Sequence, residues 1–171
     1  MAIKLGNLES YDKGGIEIIN DDPHNYAFSN LFEVASKSSP YERVVVALNN
    51  QYVLEAVRAE GESAWFAAPH DETVIIMDGQ VEVTFIKPSE NVVFDSDEGA
   101  IQLDKEPSGV KMGRIIGSGI NHILLPKGSA YKFRAIKTAA MLMQGILGPL
   151  SNQKWSEICQ SENIYNKGAN A

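Results

Sequence analysis

The 171-residue sequence predicts a mainly β protein, a double-sheet jelly-roll barrel with helices flanking it before the barrel and at the C-terminus. Three observations carry that prediction. Short β-branched or alternating runs recur between residues 72 and 146, bounded by Gly, Pro or Asp-Gly turn signals. Helical spacing of apolar residues is confined to stretches outside that region. The clearest pair of runs, Glu72–Met77 and Gln80–Phe85, is separated only by Asp78-Gly79. Such a dipeptide predicts a hairpin with a type I′ turn, which needs φ > 0 at both central positions.

The elements follow in order. Residues 1–24 are polar and glycine-containing, with one β-like run at Ile16–Ile19, and are expected to form an arm. Residues 25–62 form a lead-in. There Phe28, Leu31, Phe32 and Ala35 predict a helix over Asn25–Lys37, stopped by Ser38-Ser39-Pro40. Val44-Val45-Val46 predicts a short strand. Asn49 and Asn50 offer N-caps to a second helix over Gln51–Glu60, with Val53, Leu54 and Val57 on one stripe and Gly61 closing it. Residues 63–150 form the barrel. Its long segment Lys87–Val110 is acidic in its second half and is expected to hold short strands at Val92–Phe94 and Ile101–Leu103. Lys111–Ile116, Asn121–Leu125, Tyr131–Ala135 and Ala139–Ile146 are the remaining strands, with a type II turn at Pro126-Lys127-Gly128. Residues 151–171 form a C-terminal helix, Ser151–Gln160, and a tail.

Composition narrows the function classes. A net charge of −7 disfavours nucleic acid and anionic membrane as partners, because both call for a basic surface. The single Cys159 suits a reducing cytoplasm. No secretory leader is visible, and no apolar run approaches the ~18 residues of a membrane span. The acidic residues Asp95, Asp97, Glu98, Asp104 and Glu106 lack EF-hand spacing and read as a solvated face.

One residue breaks the pattern. Glu72 shares a strand face with Val74 and Ile76, and burying an unpaired carboxylate is costly. Glu72, six intervening residues and Gly79 resemble the second half of the first cupin motif. Two metal-binding histidines should precede it at 66 and 68, or at 65 and 67; the chain has Phe66 and Ala68, or Trp65 and Ala67. The Pro-x-Gly of the second cupin motif is present as Pro126 and Gly128, but Tyr131 stands where a histidine belongs and Ala135 where an asparagine belongs. The chain thus resembles a cupin that keeps its hinges and lacks its metal ligands.

Two readings of Glu72 follow. In one, Glu72 joins His70, two residues earlier, and His122 in a displaced metal site of the kind non-haem iron takes, two His and a carboxylate. In the other, favoured, Glu72 is buried and hydrogen-bonded, with the Tyr131 hydroxyl as partner, and both histidines lie at loop edges. Trp65 and Phe66 are core residues or aromatic walls for a flat substrate. No nucleophile pair, phosphate loop or zinc spacing occurs.

Several segments in combination are similar to the small subunit of the two-subunit hydroquinone 1,2-dioxygenases: NYAFSNLFEVASKSSPYE, AEGESAWFAAPHDETVIIMDGQVEV, KMGRII, LLPKGSAYKFRA and KWSEICQ, across roughly residues 25–160. The resemblance implies a cytoplasmic α2β2 heterotetramer of cupins in bacterial degradation of aromatic compounds. Its larger subunit would carry Fe(II) and open hydroquinone to 4-hydroxymuconic semialdehyde. This chain would hold no cofactor and no catalytic residue, and Trp65, with Phe66, would wall the phenolic substrate's pocket. Two competing readings stay open: a self-sufficient cupin oxygenase or isomerase using His70, Glu72 and His122, and a non-enzymatic cupin that binds a small ligand.

Overall fold

The computed structural model describes residues 6–12, 15–22, 29–154 and 164–166. Along them run β1 (Ile16–Ile18), α1 (Leu31–Lys37), β2 (Arg43–Asn49), β3 (Tyr52–Ala67), β4 (Glu72–Asp78), β5 (Gln80–Pro88), β6 (Ile101–Leu103), β7 (Gly109–Ser118), β8 (His122–Leu125), β9 (Ala130–Ile146), β10 (Ser151–Asn152) and β11 (Ile164–Asn166). The mainly β, barrel-type architecture expected from the sequence is the one observed.

The barrel is organised on β9. One edge of β9 pairs antiparallel with β3, from Tyr52 opposite Ile146 to Ala67 opposite Ala130. Its other edge is shared: β5 takes the first half and β4 the second. β7 extends the sheet beyond β5 and β8 beyond β4, while β2 and β6 flank β3. Alternation supplies the core. Val74 and Ile76 of β4, Val81 and Val83 of β5, and Phe133 and Met141 of β9 point inward and are buried together.

Asp78-Gly79 is not a hairpin turn. β4 and β5 do not pair with each other; they succeed one another along β9, and Asp78-Gly79 is the bend between them. Only Gly79 has positive φ (77°), so the type I′ condition is not met. The glycine is required there on two counts. A Cβ would come within 2.7 Å of the Ala139 Cβ, and the backbone is left-handed.

The second expected helix, Gln51–Glu60, is the first half of β3. Val53, Leu54 and Val57 satisfy helical spacing, but Val53, Glu55, Val57 and Ala59 also alternate, and all four are buried. Alternation prevails because Glu55 finds buried partners inside the barrel. Asn50, with φ 55°, sits in the tight connection between β2 and β3 rather than capping a helix, a conformation asparagine tolerates. Gly61 (φ 69°) marks a bulge in β3, not a helix end. β3 therefore runs through the boundary expected at residues 62–63, and the lead-in belongs to the barrel sheet.

The first helix is shorter than its pattern. Residues 25–28 lie outside the described residues, and α1 starts after Asn30, whose side chain accepts a hydrogen bond from the Phe32 amide. It lies on the outer face of the sheet. Val34 packs on Val44 and Ala56, and Phe32 and Ala35 pack near Ala140. Burial of Phe32 and Val34 stabilises this docking by about 1.5–3 kcal/mol each. Val92–Phe94 forms no strand, whereas Ile101–Leu103 does. Ser151 does not cap a helix: with Asn152 it forms β10, parallel to Arg43 and Val44, and the rest of the expected helix from Trp155 lies outside the described residues. The arm pairs through β1 with β11.

Candidate functional site

Four strands direct polar groups into the barrel interior. Arg43 enters from β2, Glu55 from β3, Glu72 from β4 and Tyr131 from β9, and all four are buried. Arg43 Nη1 donates to Glu72 Oε1 at 2.9 Å, and Nη2 donates to the Tyr131 hydroxyl oxygen at 2.8 Å. That hydroxyl in turn donates to Glu72 Oε2. Glu55 Oε2 lies 3.6 Å from Arg43 Nη1, and Glu55 Oε1 accepts from Ser151 Oγ at 2.7 Å. The guanidinium also lies 5.4 Å from the Phe66 ring centroid, within cation–π range. Every charge in the cluster is thus hydrogen-bonded, which is the condition for keeping it out of water.

The electrostatics follow from burial and proximity. Burial raises the Glu55 carboxyl above its usual range, with the Arg43 charge opposing the shift. Burial and the neighbouring Glu72 also raise the Tyr131 phenol, so it stays protonated and able to donate. Burial alone would lower Arg43, but the surrounding acidic groups more than reverse this and hold it charged. Close packing completes the site: a Cβ on Gly145 would come within 2.6 Å of Glu72 Oε1, so glycine there leaves room for the carboxylate.

The contact expected between Tyr131 and Glu72 is present. The three candidate metal ligands are not brought together. His70 Nε2 lies 3.9 Å from Glu72 Oε1 but accepts a hydrogen bond from the Ile146 amide. Burial lowers its pKa, which favours the neutral ring. His122 stands opposite Ile75 on the outer face of β8 and is exposed, while its neighbour Ile123 points inward. Among the described residues no three His, Cys, Asp or Glu side chains converge on a cation position. The cluster does not suit a divalent ion, because a guanidinium already fills the place of positive charge beside Glu72.

Trp65 and Phe66 alternate on β3 and part company. Phe66 faces the barrel interior beside Tyr131 and Phe133. Trp65 packs on the other face with Ile86 and Ala130, under the Lys132 ammonium at 5.1 Å from its ring. Gly79, Pro126 and Gly128, the remaining motif positions, are hinges. Gly79 and Gly128 have positive φ, and the Gly128 amide donates to the Ala68 carbonyl, closing the Pro126 turn onto the end of β3. Sequence reasoning missed Arg43 and Glu55. The available signal was a charge on the inward alternation of each apolar run, and above all the need of Glu72 for a cation.

No protein-family profile and no curated protein matches the chain. Solved structures do. The crystal structure of hydroquinone 1,2-dioxygenase from Sphingomonas sp. TTNP3 with 4-hydroxybenzoate bound contains a chain 50% identical to this one; the match covers 95% of this chain and 99% of that one at a TM-score of 0.90. Hydroquinone 1,2-dioxygenase PnpCD, in complex with Cd2+ and 4-hydroxybenzonitrile, is 45% identical over 94% of this chain and 98% of that one, with a TM-score of 0.89. A chain of PnpCD in complex with Fe3+ shares the fold alone, at 12% identity and a TM-score of 0.59; there 85% of this chain matches only 41% of the other, a much longer polypeptide. The enzyme therefore combines chains of two lengths, and this one matches the shorter end to end: it belongs to the small-subunit family of hydroquinone 1,2-dioxygenase.

Proposed function

We propose that this chain is the metal-free subunit of a cytoplasmic Fe(II)-dependent dioxygenase that opens hydroquinone to 4-hydroxymuconic semialdehyde during degradation of aromatic compounds. Its partner is the longer cupin chain, which carries the iron, in an α2β2 heterotetramer. The observation that carries the reading is the buried Arg43–Glu72–Tyr131 cluster. A guanidinium and a phenol occupy the part of the barrel where a self-sufficient cupin needs imidazoles.

Bound in the partner, iron would supply the redox chemistry of ring opening. This chain's residues do the rest of what a wall does. The buried ion pair keeps the barrel rigid without a metal, and rigid strands hold the outer side chains in place. Trp65, pinned between Ile86, Ala130 and Lys132 and only 7% exposed, would bound a flat phenolic ring through its uncovered edge, whereas Phe66 serves the interior. Closing such a pocket excludes water and strengthens the electrostatics within it.

Purifying each chain separately and then the pair tests the reading. Hydroquinone-dependent O2 uptake is expected from the pair only, and iron from the longer chain. Stoichiometric iron and turnover in this chain alone would reject it.

A further inference from the structure

Trp65 faces outward because β3 is irregular just before it. Glu62 stands opposite Arg134 of β9 and Trp65 opposite Lys132, so three steps along β3 match two along β9. Ser63 and Ala64 together oppose Phe133, which makes a bulge. The Ser63 hydroxyl fastens it: Oγ accepts from the Phe133 amide at 2.9 Å and donates to the Ala64 carbonyl at 2.6 Å. The extra residue inverts the alternation. Val57 and Ala59 face the core before the bulge, and Phe66 faces it afterwards. In an unbroken strand Glu62 and Trp65, three residues apart, would point to opposite faces. Here both point outward and both meet the Lys132 ammonium. Its Nζ lies 2.6 Å from Glu62 Oε1 and 5.1 Å from the centroid of the Trp65 ring beneath it.

We propose that Lys132, anchored by Glu62, is a positioning residue for ring opening, fixing the angle at which Trp65 presents its uncovered edge to the phenolic substrate. The inference rests on the reading of Trp65 as a pocket wall and adds what holds the wall in place. Ile86, Ala130 and Leu103 pack on the indole, but apolar contact is non-directional. A cation over the ring is directional, because it attracts the electron-rich face. A lysine side chain left free would swing on its flexible stem, and the Glu62 carboxylate removes that freedom. The same hydrogen bond holds the Glu62 carboxyl below its usual range, so the pair is charged at neutral pH. Bulges beside functional sites commonly re-aim one side chain in this way.

Hydroquinone turnover is measured in the assembled two-chain enzyme with Lys132→Met, Lys132→Arg, Glu62→Gln, Trp65→Ala or Lys132→Met/Trp65→Ala in this chain. Methionine keeps the apolar stem without the charge, and arginine keeps a cation that stacks on indole. Lys132→Met is expected to lower kcat/KM about three- to tenfold, as loss of a cation–π contact does, in the same parameter, KM or kcat, that Trp65→Ala changes. Lys132→Arg should restore most of the loss. Glu62→Gln, at an exposed position, frees the ammonium without disturbing the core and should give a smaller loss of the same kind. In the Trp65→Ala background Lys132→Met should cost nothing further, because the lysine acts through the ring. Unchanged kcat/KM in Lys132→Met or in Glu62→Gln beside an impaired Trp65→Ala overturns the inference and leaves the wall reading standing. So do losses that multiply in the double variant, or an arginine variant as poor as the methionine one. Unchanged kcat/KM in Trp65→Ala removes the wall, and the role of Lys132 with it.

Discussion

Replacing Arg43 by Met removes the charge at the centre of the barrel while keeping most of the side-chain volume. Glu72 is only 1% exposed and loses its guanidinium partner at 2.9 Å, and Glu55 loses the same charge at 3.6 Å. Breaking a buried pair by deleting one partner costs about 3–5 kcal/mol. An independent estimate agrees. A carboxylate stranded without its cation can instead take a proton, and for an ordinary carboxyl that costs about 3.7 kcal/mol at pH 7. At pH 5 the same proton costs only about 1 kcal/mol. Urea unfolding of Arg43→Met and wild type at both pH values reads this. The variant should lose 3–5 kcal/mol at pH 7, roughly a third or more of the stability of a typical domain, and recover about 2–3 kcal/mol of that deficit at pH 5. A loss below about 1 kcal/mol, or one indifferent to pH, would refute the claim that the guanidinium neutralises the interior.

His70 offers a second test. Its pKa is lowered in the folded state, mainly by burial, so the unfolded chain takes up a proton near pH 6.5 while the native ring resists. Stability should therefore be full above that value and decline as pH falls through and below it; His70→Asn should flatten the slope between pH 7.5 and 5.5, measured by chemical denaturation. Trp65→Ala should raise KM or lower kcat of the assembled enzyme without dissociating it, measured well below the melting temperature because a buried tryptophan is lost; unchanged kcat/KM would remove Trp65 from the pocket wall.

Much of the barrel was legible because strand periodicity survives wherever one face is buried. Val81, Val83 and Phe85 alternate cleanly, and so do Glu72, Val74 and Ile76, and the structure turns both sets inward. The failures share a cause. Tyr52–Glu60 fits both the helical and the strand period when only apolar residues are counted. Admitting Glu55 to the buried set decides for the strand, but only Arg43 on the preceding strand and Ser151, far later in the chain, make its burial tolerable. Asp78-Gly79 misled for a similar reason: the dipeptide reports a sharp bend, not which strand lies alongside, and β9, some sixty residues later, lies beside both arms. At the site, the Tyr131 contact was readable from motif position, whereas Arg43 was hidden within a valine-rich run whose apolar character drew attention away from it.

The central place of β9 bears on how the polypeptide comes together during translation. Until residues 130–146 emerge, the edges of β3, β4 and β5 that β9 covers lack their partner, and the backbone groups along those edges face water. Tyr52 must wait for Ile146, so closing the sheet carries the entropy of a very long loop. The Arg43 guanidinium, made early, likewise lacks the Tyr131 phenol oxygen until β9 arrives. Nascent chains halted before β9 therefore display several sticky borders at once, and the last quarter of the message decides whether the first three-quarters stay in solution.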